Sequence, residues 1–469
     1  MRLARKLVFT VLAAVPLSFP LAPVNAQRTA APPAAPVPVE YHKLKNGLKV
    51  VLSPDRTAPI VTVAVYYNVG FRLEPRGRTG FAHLFEHLMF QGSQNLGKME
   101  FIQLVQKNGG ILNGSTRFDF TNYFQIVPAN KLETILWAEA DRMRGLDITP
   151  DNLSNQQAVV KNEVKVNVIN QPYGGFPWLD LPQHAFENWA NAHNFYGDFS
   201  DLDAATLEDA RAFFKTYYAP NNAALVIVGD FEPGPALAMV RRYFDNIPSA
   251  TRPPVVAAQE PRQTREKHAS RVDSLASRPA LAVGYQMPPR NSPQYYAMGL
   301  IDQILLQGND SWLYQELVRR AGMSGNVSGG VNLLGNMLNY NGPMLWTLSL
   351  IHDTTRTADS IVARLDGVIE RLRSAPVDSA TLARARVKLR PALYTFQEGL
   401  FGFGRADLLA AFALFDDDPA RLNRLEAEFN RVTPSQIQST AQEYLRPTNR
   451  TTLIVTPAAT AKRPAGSSQ

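Results

Sequence analysis

The chain has no cysteine among its 469 residues. That absence excludes disulfides, thiolate metal sites and cysteine nucleophiles. Beyond the first 26 residues, no run is long and apolar enough to span a bilayer. No cluster of Lys and Arg marks a nucleic-acid surface, so no nucleic-acid partner is expected.

The composition is that of a folded protein, 45% hydrophobic and 19% charged, and the length exceeds what one ordinary core serves. Arg2, Arg5 and Lys6 precede the short apolar run LVFTVLAAV, and Val24-Asn25-Ala26 offers a cleavage site. Residues 1–26 are therefore read as a cleaved secretory signal peptide. A periplasmic or secreted protein with no stable membrane insertion is expected after cleavage. Loss of the signal lowers the formal net charge from +7 to +4, too mild a balance to argue for any partner.

Residues 27–38 (QRTAAPPAAPVP) form a Pro/Ala tether, and 458–469 a tail poor in core residues. Between them the chain repeats itself. TLEDARAFFKTYYAPNNAALVIV, from Thr206, and TPSQIQSTAQEYLRPTNRTTLIV, from Thr433, match at one constant offset in Thr, Tyr, Pro, Asn, Ile and Val. Each copy predicts an amphipathic helix, a proline stop and a buried strand. A duplicated domain is inferred, with halves at 39–250 and 267–457 and a Pro-rich linker at 251–266. LKVVLSPDRTAPIVTVAVYYNVG predicts a hairpin opening the first half, and RPALAVGYQMPP a comparable strand opening the second. Strands and helices do not alternate strictly. The fold class expected is α+β, two related domains each with a mixed or antiparallel sheet packed with helices.

The chemistry concentrates in GFAHLFEHLMFQG, residues 80–92. On a helix His83 and His87 stack on one face, with Glu86 beside them. This is the zincin pattern His-Glu-x-x-His written in reverse, itself a zinc-peptidase signature. The neighbouring positions are apolar, so the helix should be buried. Three unpaired ionisable groups there would cost several kcal/mol unless a cation satisfied them. A hydrolytic zinc needs a third protein ligand and an open position for water. Spacing alone leaves Glu100, Glu133, Glu139, Asp141 and Glu163 open, with Glu163 hinted at by Val160 and Val164 on its helix face. His42, His184, His193, His268 and His352 lack comparable neighbours and are read as surface or core histidines. EGLFGFGR, residues 398–405, has glycines but no phosphate-binding lysine, and is read as a helix-packing or loop segment.

These residues resemble the pitrilysin/insulysin family of inverted-motif zinc metallopeptidases, in particular its half-length, processing-peptidase-like bacterial branch. In that family a glutamate about 75 residues beyond the motif completes the zinc site, and 75 residues separate His87 from Glu163 here. The resemblance therefore implies His83, His87 and Glu163 as ligands of one zinc per chain and Glu86 as catalytic base. GGILNGSTRFDFTNYFQIVP is similar to the family's active-site edge strand, which implies substrate-binding roles for Asn113, Thr116, Asp119, Thr121 and Tyr123. FYGDFSDLDAATLEDARAFFKTYYAPNNAALVIVGDF resembles the close of its first domain. The resemblance covers nearly the whole mature chain and implies a zinc endopeptidase acting on extended peptides, on a processing-peptidase-like fold whose second domain lacks the zinc motif.

Two departures qualify the resemblance. Many relatives carry an acid where Gln156 stands. Active members also use an Arg and a Tyr from the second half, and the matching stretch LVRRAGMSGNVSGG places Val318 and Gly325 there; Arg319 and Arg320 are adjacent, but no tyrosine follows. The chain thus resembles the zinc-bearing subunit of a heterodimer whose related partner brings the Arg/Tyr pair, a homodimer being the alternative. A non-catalytic scaffold on the same fold, or a zinc enzyme with a non-peptide substrate, are the rival readings.

Overall fold

The computed structural model describes residues 36–458. The signal at 1–26, the tether up to residue 35 and the tail from 459 lie outside the described residues. The described residues from Val37 to 458 form one compact unit. Two sheets organise it, both packed with helices, as the α+β expectation requires.

The first sheet contains β1 (Glu40–Lys43), β2 (Lys49–Pro54), β3 (Ile60–Tyr67), β4 (Ile111–Thr116), β5 (Thr121–Pro128) and β6 (Ala223–Gly229), in the order β1-β2-β6-β3-β5-β4. The second contains β7 (Lys267–Asp273), β8 (Ala280–Gln286), β9 (Ser328–Val331), β10 (Leu345–Ile351) and β11 (Arg450–Pro457), in the order β7-β11-β8-β10-β9. Setting β1 aside, the two orders are the same. In each, the last strand of the half enters the middle, parallel to one neighbour and antiparallel to the other.

The hairpin expected from β2 and β3 does not form, because β6 lies between them. Two apolar runs joined by a turn specify strands but not neighbours, and here the better partner arrives at the end of the half. The segment 251–266 carries neither helix nor strand and crosses from one sheet to the next.

The repeated segments fold alike. Helix Leu207–Tyr217 and helix Pro434–Tyr444 each begin with a capping box, Thr206 with Asp209 and Thr433 with Gln436. After each proline stop an asparagine reaches back to the carbonyl of the helix-end tyrosine: Asn222 to Tyr217 (2.8 Å) and Asn449 to Tyr444 (2.7 Å). The shared Asn was one of the six matched positions, and this bond gives it a physical reason.

One face of the first sheet is covered by the half's own helices, among them Phe81–Leu88 and Leu132–Arg144. The opposite face packs on helix Ser379–Asp416 of the second half. Tyr66 donates to Asp407 (2.9 Å), Arg405 pairs with Asp55 (2.9 Å), and Phe124 stacks on Phe403. The segment 398–405 runs through this helix and is not a loop.

Candidate metal centre

Helix Phe81–Leu88 sends Phe81, Leu84, Phe85 and Leu88 into the core of the first half, the spacing of an amphipathic face. His83, Glu86 and His87 are left on the other side. Helix Pro150–Val164 approaches that side. It starts with Thr149 capping the Asn152 amide and Pro150 in the first turn, and buries Leu153, Val160 and Val164. Beyond Glu163 it widens into a π-helical turn, Lys165–Ile169, a device often found next to functional residues.

The two helices bring His83, His87 and Glu163 together. His83 Nε2 and His87 Nε2 are 3.3 Å apart. Glu163 places Oε2 3.2 Å from His87 Nε2 and Oε1 3.7 Å from His83 Nε2. Ligands at about 2.0–2.1 Å on a tetrahedral zinc stand about 3.3–3.4 Å from one another, so these spacings fit one ion. The donor set also fits: two imidazole nitrogens face each other, and only one of them can donate a proton to the other. It is the one group of three metal-capable side chains among the described residues.

Exposure rises from 6% at the His83 side chain to 20% at His87 and 33% at Glu163, so the centre sits at the edge of the core with one side open. The His83 and His87 imidazoles beside it hold the Glu163 carboxyl well below the usual carboxylate range. Glu86, on the same turn as His87, accepts a hydrogen bond from Thr116 Oγ1 at 2.8 Å. Gly114 stands beside Glu86, where a Cβ would lie 3.3 Å from its Cγ.

The other acids left open by spacing are engaged elsewhere. Glu139 is buried against Arg142, and Asp141 holds Ser93 and Asn95. Glu133 binds Arg242 and Tyr243, and Glu100 caps Gly97.

The structure shows the stretch from Asn113 to Tyr123, expected as a substrate strand, in more detail. It is a hairpin of β4 and β5, and only β4 is an edge strand. Asn113 is exposed on that edge, and Thr116 turns inward to Glu86. Asp119 is buried. It pairs with Arg72 at 2.9 Å and accepts from the backbone of Asn341 (2.8 Å) and Gly342 (3.3 Å), which ties the two halves together. Thr121 donates to the Val69 carbonyl (2.8 Å), and Tyr123 is buried with its hydroxyl on the Phe85 carbonyl (3.2 Å). Asp119, Thr121 and Tyr123 are thus buried and held by partners within the platform. Gln156 is buried and donates to Asn155. Val318 packs partly into the second-half core, Gly325 sits in the loop before β9, and Arg319 and Arg320 are turned to Tyr314 and Glu316.

The sequence reading missed Tyr196, and it took His193 as a surface or core histidine without seeing its partner. The Tyr196 ring meets His83 edge-on at 5.1 Å, and burial pushes its hydroxyl up to about 12, with Glu163 and Glu86 adding to the effect. His193 lies against the buried Glu74, just before the metal helix. Neither carries a local signal, because each reaches the centre only through the return of the chain after helix Pro150–Val164.

Residues 49–173 match the family model described as insulinase (peptidase family M16), and residues 204–389 match the one described as peptidase M16 inactive domain. The chain belongs to this peptidase family. A zinc protease PqqE of Helicobacter pylori is 26% identical over 424 residues, covering 88% of this chain and 92% of that protein. A crystal structure of a protease from Helicobacter pylori aligns with a TM-score of 0.83 at 25% identity, covering 90% of this chain and 100% of the other. The periplasmic protease PqqL of Escherichia coli shares the fold, with a TM-score of 0.71 at 15% identity; 90% of this chain covers 48% of that one. The M16 chain described here is therefore similar to half-length zinc proteases. No helix among its described residues is long and apolar enough to cross a membrane.

Proposed function

We propose that the chain is a zinc-dependent endopeptidase that hydrolyses extended peptides. The observation that carries the proposal is the convergence of His83, His87 and Glu163 within tetrahedral spacing, with Glu86 on the same helix. Zinc held by those three side chains would supply Lewis acidity, lowering the pKa of a water and polarising the scissile carbonyl. Glu86, oriented by Thr116, takes the proton of the attacking water and hands it to the leaving amine. The outer edge of β4 offers unpaired backbone groups to an extended peptide, a mode of binding that tolerates varied sequence, and Asn113 is the polar side chain exposed there.

The proposal includes export to the periplasm or beyond, and a related partner chain that brings the Arg and Tyr missing at Val318 and Gly325. A homodimer is the alternative assembly. A second reading, a non-catalytic scaffold, is favoured by those same two positions and by the inactive-domain description of the second family model. The two separate on one experiment. The zinc-loaded chain is incubated with unstructured peptides, alone and with related chains that carry Arg and Tyr, and products are read by mass spectrometry. Cleavage that disappears in Glu86→Gln supports the peptidase. Zinc binding with no cleavage in any pairing supports the scaffold.

A further inference from the structure

The zinc assignment requires that helix Phe81–Leu88 be held to a fraction of an ångström; its apolar face is anchored in the core, but its start has no side-chain cap of its own. Its N-cap is Gly80, at φ 82°, with no side chain to receive the first amides. A helix start leaves four N–H groups without partners. Here two of them are met from outside: Gly80 N donates to Glu74 Oε2 at 2.9 Å, and Ala82 N to Glu74 Oε1 at 2.7 Å. Both oxygens of one carboxylate are thus fixed on the turn that ends at His83.

Glu74 is buried, which raises its pKa, and a buried carboxylate needs a counter-group. The start of the helix is one, through its partial positive charge. His193 is the other, with Nε2 3.4 Å from Glu74 Oε2, an ion-pair distance and not a hydrogen bond. The imidazole is itself fixed. Nδ1 lies 3.0 Å from the Trp189 carbonyl, which can only accept, and the ring stacks on the Trp189 indole at 4.3 Å. With Nδ1 against that carbonyl, Nε2 is the ring nitrogen turned to the carboxylate.

The loop carrying His193 closes on the helix start at further points. A Cβ on Gly197 would stand 2.2 Å from Gly80 N, so only glycine permits this approach. Asp198 N donates to Thr79 Oγ1 (2.9 Å), and Thr79 Oγ1 to Asp201 (2.6 Å). Metal-binding histidines usually donate their second ring N–H to an acceptor that orients them. His83 Nδ1 is buried with no such partner. Its position is inherited from the helix instead.

We propose that Glu74, with His193 as its counter-group, is the positioning residue of the metal helix, fixing where His83 and His87 meet Glu163. The proposal rests on the zinc reading above.

The test uses the full mature chain, with zinc affinity measured by chelator competition and ligand geometry by the visible absorption of the Co(II)-loaded protein. Glu74→Gln keeps the shape but turns an NH₂ against one of the two backbone donors. Expected are a loss of zinc affinity of roughly 10–100-fold, as for other outer-shell changes, and an altered Co(II) spectrum. His193→Gln should give the same pair of changes in smaller measure, and it carries the test if Glu74→Gln does not fold. Thr433→Ala, which removes a helix cap in the second half, should lower stability without moving either readout. Variants of Glu74 and His193 with wild-type affinity and spectrum would overturn the proposal. A wild-type chain that binds neither metal would overturn the zinc reading beneath it as well.

Discussion

After β3 the chain forms helix Phe81–Leu88; after β8, at the same point of the second sheet, it forms helix Pro293–Leu305. The first carries His83, Glu86 and His87 on a side that opens to solvent through Glu163. The second is buried from Tyr295 to Leu305, and its one acid, Asp302, accepts a hydrogen bond from Trp346 Nε1 at 2.8 Å. Burial pushes that carboxyl up to about 6. His83 and His87, which converge with Glu163, are thus kept in one half, and a single acid satisfied by an indole in the other. The scaffold is common to both, and the chemistry depends on a second helix bringing Glu163.

The largest effect expected from this contrast is on catalysis. Glu86→Gln should retain zinc and lower kcat by about 10²–10⁴-fold, the usual contribution of a general acid–base group. Full turnover in steady-state assays would remove the chemical distinction between the halves.

A smaller effect sharpens the other side of the comparison. Asp302 has a folded pKa above its unfolded value near 3.9. The folded state then holds more protons between about pH 4 and pH 6, so stability falls as pH rises through that window and is level above it. Asp302→Asn can still accept from Trp346. It should flatten that slope and raise stability at neutral pH by on the order of 2–3 kcal/mol, checked by thermal melts across pH. An unchanged slope would show that Asp302 is not the group responsible.

The smallest effect tests the symmetry itself. Thr206→Ala and Thr433→Ala each remove one member of a capping box and should each cost about 1 kcal/mol in denaturant melts. Markedly unequal losses would mean that the two repeats no longer bear on stability alike.

The contrast also explains what could be read from the sequence. The helix of His83, Glu86 and His87 announced itself because ionisable groups at i, i+3 and i+4 stand out against apolar neighbours. The duplication was legible because caps, proline stops and the back-bonding Asn222 and Asn449 are local features. Residues that act across distance were not. The insertion of β6 between β2 and β3 is a choice of partner, and the apolar runs of both strands suit either outcome. Asp119 entered as a substrate residue implied by the resemblance, and its contacts with Arg72 and the Asn341 loop became visible only in the fold. Glu74 precedes the metal helix in sequence, but its task depends on His193, which arrives more than a hundred positions later.

The most direct test of the account is the zinc content per chain of the purified mature protein, by elemental analysis, for the wild type and for Glu163→Gln. The account predicts one zinc per wild-type chain and little or none in the variant after the same handling. No zinc in the wild type even after the metal is supplied, or one zinc per chain in both proteins, would contradict it.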